Sequence, residues 1–254
     1  MGGLRTGTMR LLRRVTWIAT APVLAVALAG CVEGVAVSSD GATPSSTATT
    51  GPQMAASFTH DKMEPEAIRT LYDRLAPMGL FDGSGADDEA WARSEGADTG
   101  YWYNEGVRRA FYGDGEALAE WGVCDFVRRV QPILSERGVP PLECAQGEWQ
   151  PGAVGYTVTL NGRSFRILDE RDHEQNPTWT AATVRAFRML ETLLGEAGST
   201  DHVYAIEGDV GLSSTGVLLT PEMAEAINSD PSVPDEQKLL TTDRLSEWII
   251  EFEE

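Results

Sequence analysis

Residues 154–168 read VGYTVTLNGRSFRIL, and two signals in this stretch choose the same structure. Asn161-Gly162 suits a two-residue type I′ turn, whose central positions both require positive φ. A turn there pairs Val158 with Phe165 and Tyr156 with Ile167, and sends Thr157, Thr159, Ser164 and Arg166 to the other face. Hydrophobic alternation selects that register independently, so the stretch predicts a β-hairpin with one buried side. An isolated hairpin is marginal in water, and this one must pack on something.

The nearest partner follows it in the chain. Thr183, Phe187, Leu190 and Leu194 form one stripe of a helix predicted from about Trp179 to Glu196, with Gly198 beyond its end. Val203–Ile206 and Val217–Leu219 read as two further strands. Thr220-Pro221-Glu222 then reads as an N-cap, a first-turn proline and an early acid opening a short helix. Leu245, Trp248, Ile249 and Phe252 follow the spacing of a C-terminal amphipathic helix.

Upstream, the pattern is helical. Ile68, Leu71, Tyr72 and Leu75 mark one helix that Pro77 ends. Tyr103, Val107, Ala110 and Phe111 mark a second. Val123, Phe126, Val127, Val130 and Leu134 mark a third, which Pro132 is expected to kink or split. Helices followed by hairpin, helix, two strands and helices predict an α+β fold: a helical first half, then a mainly antiparallel sheet with helices packed on it.

The other end of the chain carries a different kind of signal. Arg5, Arg10, Arg13 and Arg14 precede an apolar run from Val15 to Ala29, with no acidic residue before Cys31. This is the layout of an export signal, and the run is short of the roughly 20 residues that a membrane-spanning helix needs. Met9 opens a compact signal of its own, so the start codon stays open between Met1 and Met9. Leu28-Ala29-Gly30-Cys31 resembles the lipobox of bacterial lipoproteins. The resemblance covers about the first 31 residues. It implies a diacylglyceryl group on the Cys31 thiol, cleavage before it, and attachment to a lipid bilayer on the extracytoplasmic face of the cell membrane. Arg13-Arg14 fits a twin-arginine signal poorly, because Leu12 precedes the pair and Thr16 follows it.

Residues 31–57 are rich in Ser, Thr, Gly, Ala and Pro and nearly devoid of large apolar side chains, the composition of a tether rather than a core. Three segments result: a signal peptide over 1–30, a tether over 31–57, and a folded domain over 58–254. With 20 basic and 39 acidic residues the chain has net charge −19. Without the four signal arginines, 16 basic residues face 39 acidic ones, giving −23. Such a surface repels nucleic acid and anionic headgroups, which leaves anchoring to acyl chains. With Cys31 lipidated, Cys124 and Cys144 remain as an even pair, read as a disulfide in an exported domain or as two buried free thiols.

No motif announces a cofactor. Gly211–Gly216, GLSSTG, has phosphate-loop glycine spacing but Val217 in place of the lysine, and it fails as a nucleophile elbow at Thr215. It is read as a hairpin connection. Asp82–Arg93 begins like a calcium loop, yet it has Asp87 where glycine is required and Arg93 where glutamate is required. It is read as an acidic loop leading into a helix. The polar run Asp169–Asn176 contains Asp172, His173 and Glu174, a set able to ligate a metal or to supply an acid and a base. Tyr101, Trp102 and Tyr112 are the candidates for an exposed aromatic platform, core packing being the competing assignment. Together these features favour a lipid-anchored envelope protein that binds a protein partner or a small-molecule ligand. The alternative is an envelope hydrolase using acids near His173.

Overall fold

The computed structural model describes residues 61–147, 155–206 and 213–250. The segments expected as signal peptide and tether, with Cys31, and also Phe252, lie outside them. The fold is α+β and its strands pair antiparallel throughout the described residues.

Helix α1, Pro65–Leu75, starts on a proline at its first position, buries Ile68, Leu71, Tyr72 and Leu75, and passes into a 3-10 turn, Ala76–Met78. Helix α2 spans Ala86–Thr99 and begins inside the acidic stretch, with only residues 82–85 left as loop. It meets α1 through Gly96, where a Cβ would fall 2.8 Å from the Tyr72 hydroxyl.

The helix expected over Tyr103–Phe111 does not form. Residues 101–109 are a loop, and Ala110–Asp114 is strand β1. Phe111 and Gly113 face inward and Tyr112 outward, so a true period of two lay beneath an accidental helical spacing. Helices α3 (Gly115–Ala119) and α4 (Val123–Ser135) follow. Pro132 does not split α4. It sits in the last turn, where the hydrogen bond it forgoes is near the frayed end.

Strands β2 (Cys144–Gln146), β3 (Tyr156–Leu160) and β4 (Arg163–Leu168) make a three-stranded sheet. Asn161 and Gly162 have φ of 48° and 84°, as the turn requires, and Val158 faces Phe165. Beyond Thr157 the ladder bulges, so Tyr156 pairs with Leu168 rather than Ile167. The bulge lets two successive residues, Ile167 and Leu168, both be buried. Helix α5 is the short turn Asp172–Gln175, and α6 runs Thr178–Glu196 against β4.

Strands β5 (His202–Ile206), β6 (Ser213–Leu219) and β7 (Leu239–Thr241) join β1 in a four-stranded sheet of order β1-β6-β5-β7. Ser213–Gly216, expected as a connection, belongs to β6. Gly216 is glycine because a Cβ there would meet the Phe111 ring at 2.3 Å. Helix α7, Pro221–Asn228, carries the expected cap, with Thr220 Oγ1 accepting from the Met223 amide. Helix α8 covers only Thr242–Ser246. Trp248 lies past it and is exposed, so the expected amphipathic helix is cut short.

The four-stranded sheet is covered on both faces. Phe111, Val203, Ala205, Leu218 and Leu240 join a core with α4, α6 and the hairpin. Tyr204, Ile206, Val217, Leu219 and Leu239 join a second core with α1 and α7. The hairpin contributes Tyr156, Val158, Leu160, Ile167 and Leu168 to the first core, while Phe165 is only partly buried at its edge.

Candidate functional site

The polar cluster in the sequence does not assemble as one site. Asp172 is wholly buried and faces Arg185 of α6, with Oδ1 3.1 Å from Nη2 and Oδ2 bonded by Nη1. Asn176 Nδ2 donates to the same Oδ1 at 2.6 Å and the Asp169 amide donates to Oδ2 at 2.6 Å, so both carboxylate oxygens are engaged. His173 and Glu174 are exposed on the outer side of the same short turn. Asp172 is thus a structural tie. The acid–base set fails because one four-residue helix points its members in opposite directions. Among the described residues no three His, Cys, Asp or Glu side chains are grouped to hold a metal ion.

The aromatic platform is also corrected. Trp102 has no exposed surface and donates its indole N–H to the Gln237 carbonyl at 3.2 Å. A ring anchored at both its face and its nitrogen belongs to the core. Tyr101 is half-buried beside Tyr103, and Tyr112, 54% exposed on edge strand β1, is the one ring of the three that stands open. Cys124 and Cys144 form a disulfide with Cα atoms 5.5 Å apart, fastening the three-residue edge strand β2 to α4.

A different set of residues converges. A cavity of about 630 Å3 opens where the turn after α1, the end of α4, the α6–β5 turn and the start of α7 come together. Arg109, just ahead of β1, is buried at its base. Its Nε donates to the Gly79 carbonyl at 3.1 Å, and its Nη1 donates to the Leu218 carbonyl at 3.1 Å and to Asp201 Oδ2 at 2.5 Å. Arg137, past the end of α4, donates from Nε to the same Asp201 oxygen at 2.8 Å and from Nη1 to the Ile133 carbonyl at 2.7 Å. Asp201 is itself fixed by its amide, which donates to Ser199 Oγ at 3.1 Å.

Two guanidiniums therefore share one carboxylate oxygen, with all three side chains 6 to 7% exposed. Burial first, and the neighbouring Arg109 charge second, lower the Arg137 pKa from its usual value, against the opposing pull of Asp201. The guanidinium stays protonated nonetheless, because arginine starts so far above neutrality. A smaller hollow of about 350 Å3 beside the disulfide contains Val127, Pro132 and Leu142 and has no buried charge.

No local motif marks Arg109, Arg137 or Asp201, which come from three distant segments. The one available trace is the Arg108-Arg109 pair between apolar Val107 and Ala110-Phe111, which does not tell the exposed arginine from the buried one. Compared with known proteins, the chain matches no family model, no curated protein and no solved structure.

Proposed function

We propose that the chain is a membrane-anchored cell-envelope lipoprotein, acylated at Cys31, whose extracytoplasmic domain binds a small ligand in the cavity above Arg109 and Arg137. The observation that carries the binding half is that cavity. At about 630 Å3 it falls in the range of small-molecule sites, and several chain segments meet there around a fixed polar base. Anchoring is supported by the signal layout, by Leu28-Ala29-Gly30-Cys31, and by the Cys124–Cys144 bridge, which suits an oxidising compartment. Among the described residues no helix is long and apolar enough to cross a membrane. The hydrolase alternative loses support because Asp172 is locked to Arg185.

The test is thermal unfolding of the full chain in detergent against a panel of small neutral, cationic and anionic metabolites. Thr200 lines the cavity and is exposed, so Thr200→Trp obstructs the space without touching the core. A compound that raises the midpoint of the wild type and not of Thr200→Trp is the expected result. A panel that shifts neither protein would contradict the reading.

A further inference from the structure

Resting on the reading of the cavity as a binding site, we infer that it takes the carboxylate of a small organic acid, held between the outer nitrogens of Arg109 and Arg137. The donors come first. Arg109 uses Nε and Nη1, and Arg137 uses Nε and Nη1, for every hydrogen bond they make to described residues. Each Nη2 keeps its two N–H groups. Among the described residues the enclosed side-chain polar atoms without a partner are Ser84 Oγ and Gln237 Oε1, and neither Nη2 is one of them. Both nitrogens thus keep some accessible surface, and both residues line the cavity.

Charge selects the ligand. Two buried guanidiniums face one buried carboxylate, an excess of one positive charge away from water. Glu136 approaches Arg137 Nη1 at 3.4 Å and Arg108 at 3.6 Å. Its carboxyl is a third exposed and shared, and Asp82, the other acid on the cavity wall, is exposed, so water screens both and they offset little of that excess. A carboxylate carries the single charge that closes the balance and the two oxygens that a guanidinium edge accepts, whereas a phosphate dianion would leave the base negative. The volume exceeds a carboxyl group alone, and Met78 on the wall offers a soft apolar surface to an organic body.

The experiment is titration calorimetry of the full chain in detergent with straight-chain monocarboxylates from acetate to octanoate, their matched amides, and inorganic phosphate. The carboxylates should bind at least about tenfold tighter than the amides. Arg137→Gln should abolish that preference. Asp201→Asn, which keeps an acceptor for both arginines and removes a negative charge, should tighten carboxylate binding about fivefold, the opposite of what damage to a merely structural residue would do. Amides binding as well as acids, with both lost in Thr200→Trp, would overturn the inference and leave the cavity reading standing. Silence from every probe counts against both. Phosphate binding without carboxylate binding refutes the assignment, and so does wild-type affinity in folded Arg137→Gln. If Arg137→Gln does not fold, unchanged or weaker carboxylate binding by Asp201→Asn refutes it.

Discussion

Asp172 and Arg185 form a buried, two-point ion pair that joins α5 to the middle of α6, with Oδ1 of the acid 3.1 Å from Nη2 of the arginine. Arg185 Nη1 also donates to the Ile167 carbonyl at 3.2 Å. Asn176, beside Asp172, exchanges two hydrogen bonds with the Ile250 backbone. The pair therefore fastens the bulged end of the hairpin and the last described residues to one helix. Removing one partner strands a charge in the core, so Asp172→Ala should cost about 3 to 5 kcal/mol in denaturant unfolding. His173→Ala, on the exposed side of the same turn, should cost less than about 0.5 kcal/mol. Equal losses from the two would refute the structural assignment.

Core packing ranks the aromatic residues. Phe187 is fully buried, with ring contacts to Phe111 and Phe126, so Phe187→Ala should cost about 3 to 5 kcal/mol. Phe165 lies at the rim with the Arg163 guanidinium 4.9 Å from its ring, and its truncation should cost roughly half as much. Thr157→Ala, on the exposed face of β3, should be nearly silent. Equilibrium unfolding of the three variants in urea checks the order.

The disulfide closes a loop of 20 residues and holds an edge strand too short to persist by itself. Gln146 reinforces it, bonding the Trp121 carbonyl through Nε2 and accepting from the Cys124 amide at 3.4 Å. Reduction, or the double variant Cys124→Ser with Cys144→Ser, should lower stability by about 3 kcal/mol. Hydrogen exchange should show the loss first in β2 and the start of α4.

Buried tyrosines set the alkaline limit. Burial raises the pKa of Tyr72 and Tyr156, whose hydroxyls donate to the Trp102 and Leu118 carbonyls. The unfolded chain ionises near the ordinary tyrosine value of about 10, so between that pH and the raised folded values the unfolded state has released more protons. Stability from these groups is complete below about pH 10 and falls as pH rises. The urea midpoint should decline from about pH 10 to 12, and Tyr72→Phe should flatten the decline. A midpoint independent of pH across that window contradicts the argument.

Sequence reading succeeded where local chemistry and global packing agree. Asn161-Gly162 sets a turn that hydrophobic alternation independently demands, and Thr220-Pro221 caps a helix with its own side chain. It failed where tertiary context decides. Tyr103, Val107, Ala110 and Phe111 have helical spacing, but β1 gains an antiparallel partner in β6 and a face against Phe187. The Tyr156 bulge exchanges one ladder pairing for burial of both Ile167 and Leu168, a gain that no two-residue period reveals. Arg109, Arg137 and Asp201 meet only because three turns close on one another, so no spacing in the chain foretells them.

Native mass spectrometry of the full-length protein, extracted gently from the membranes of its own cells, tests the central claim most directly. The account predicts a chain that begins at Cys31 and carries the added mass of lipid, together with a noncovalent small-molecule adduct that collisional activation removes and Thr200→Trp lacks. An unacylated chain, with no adduct that distinguishes the wild type from Thr200→Trp, would contradict it.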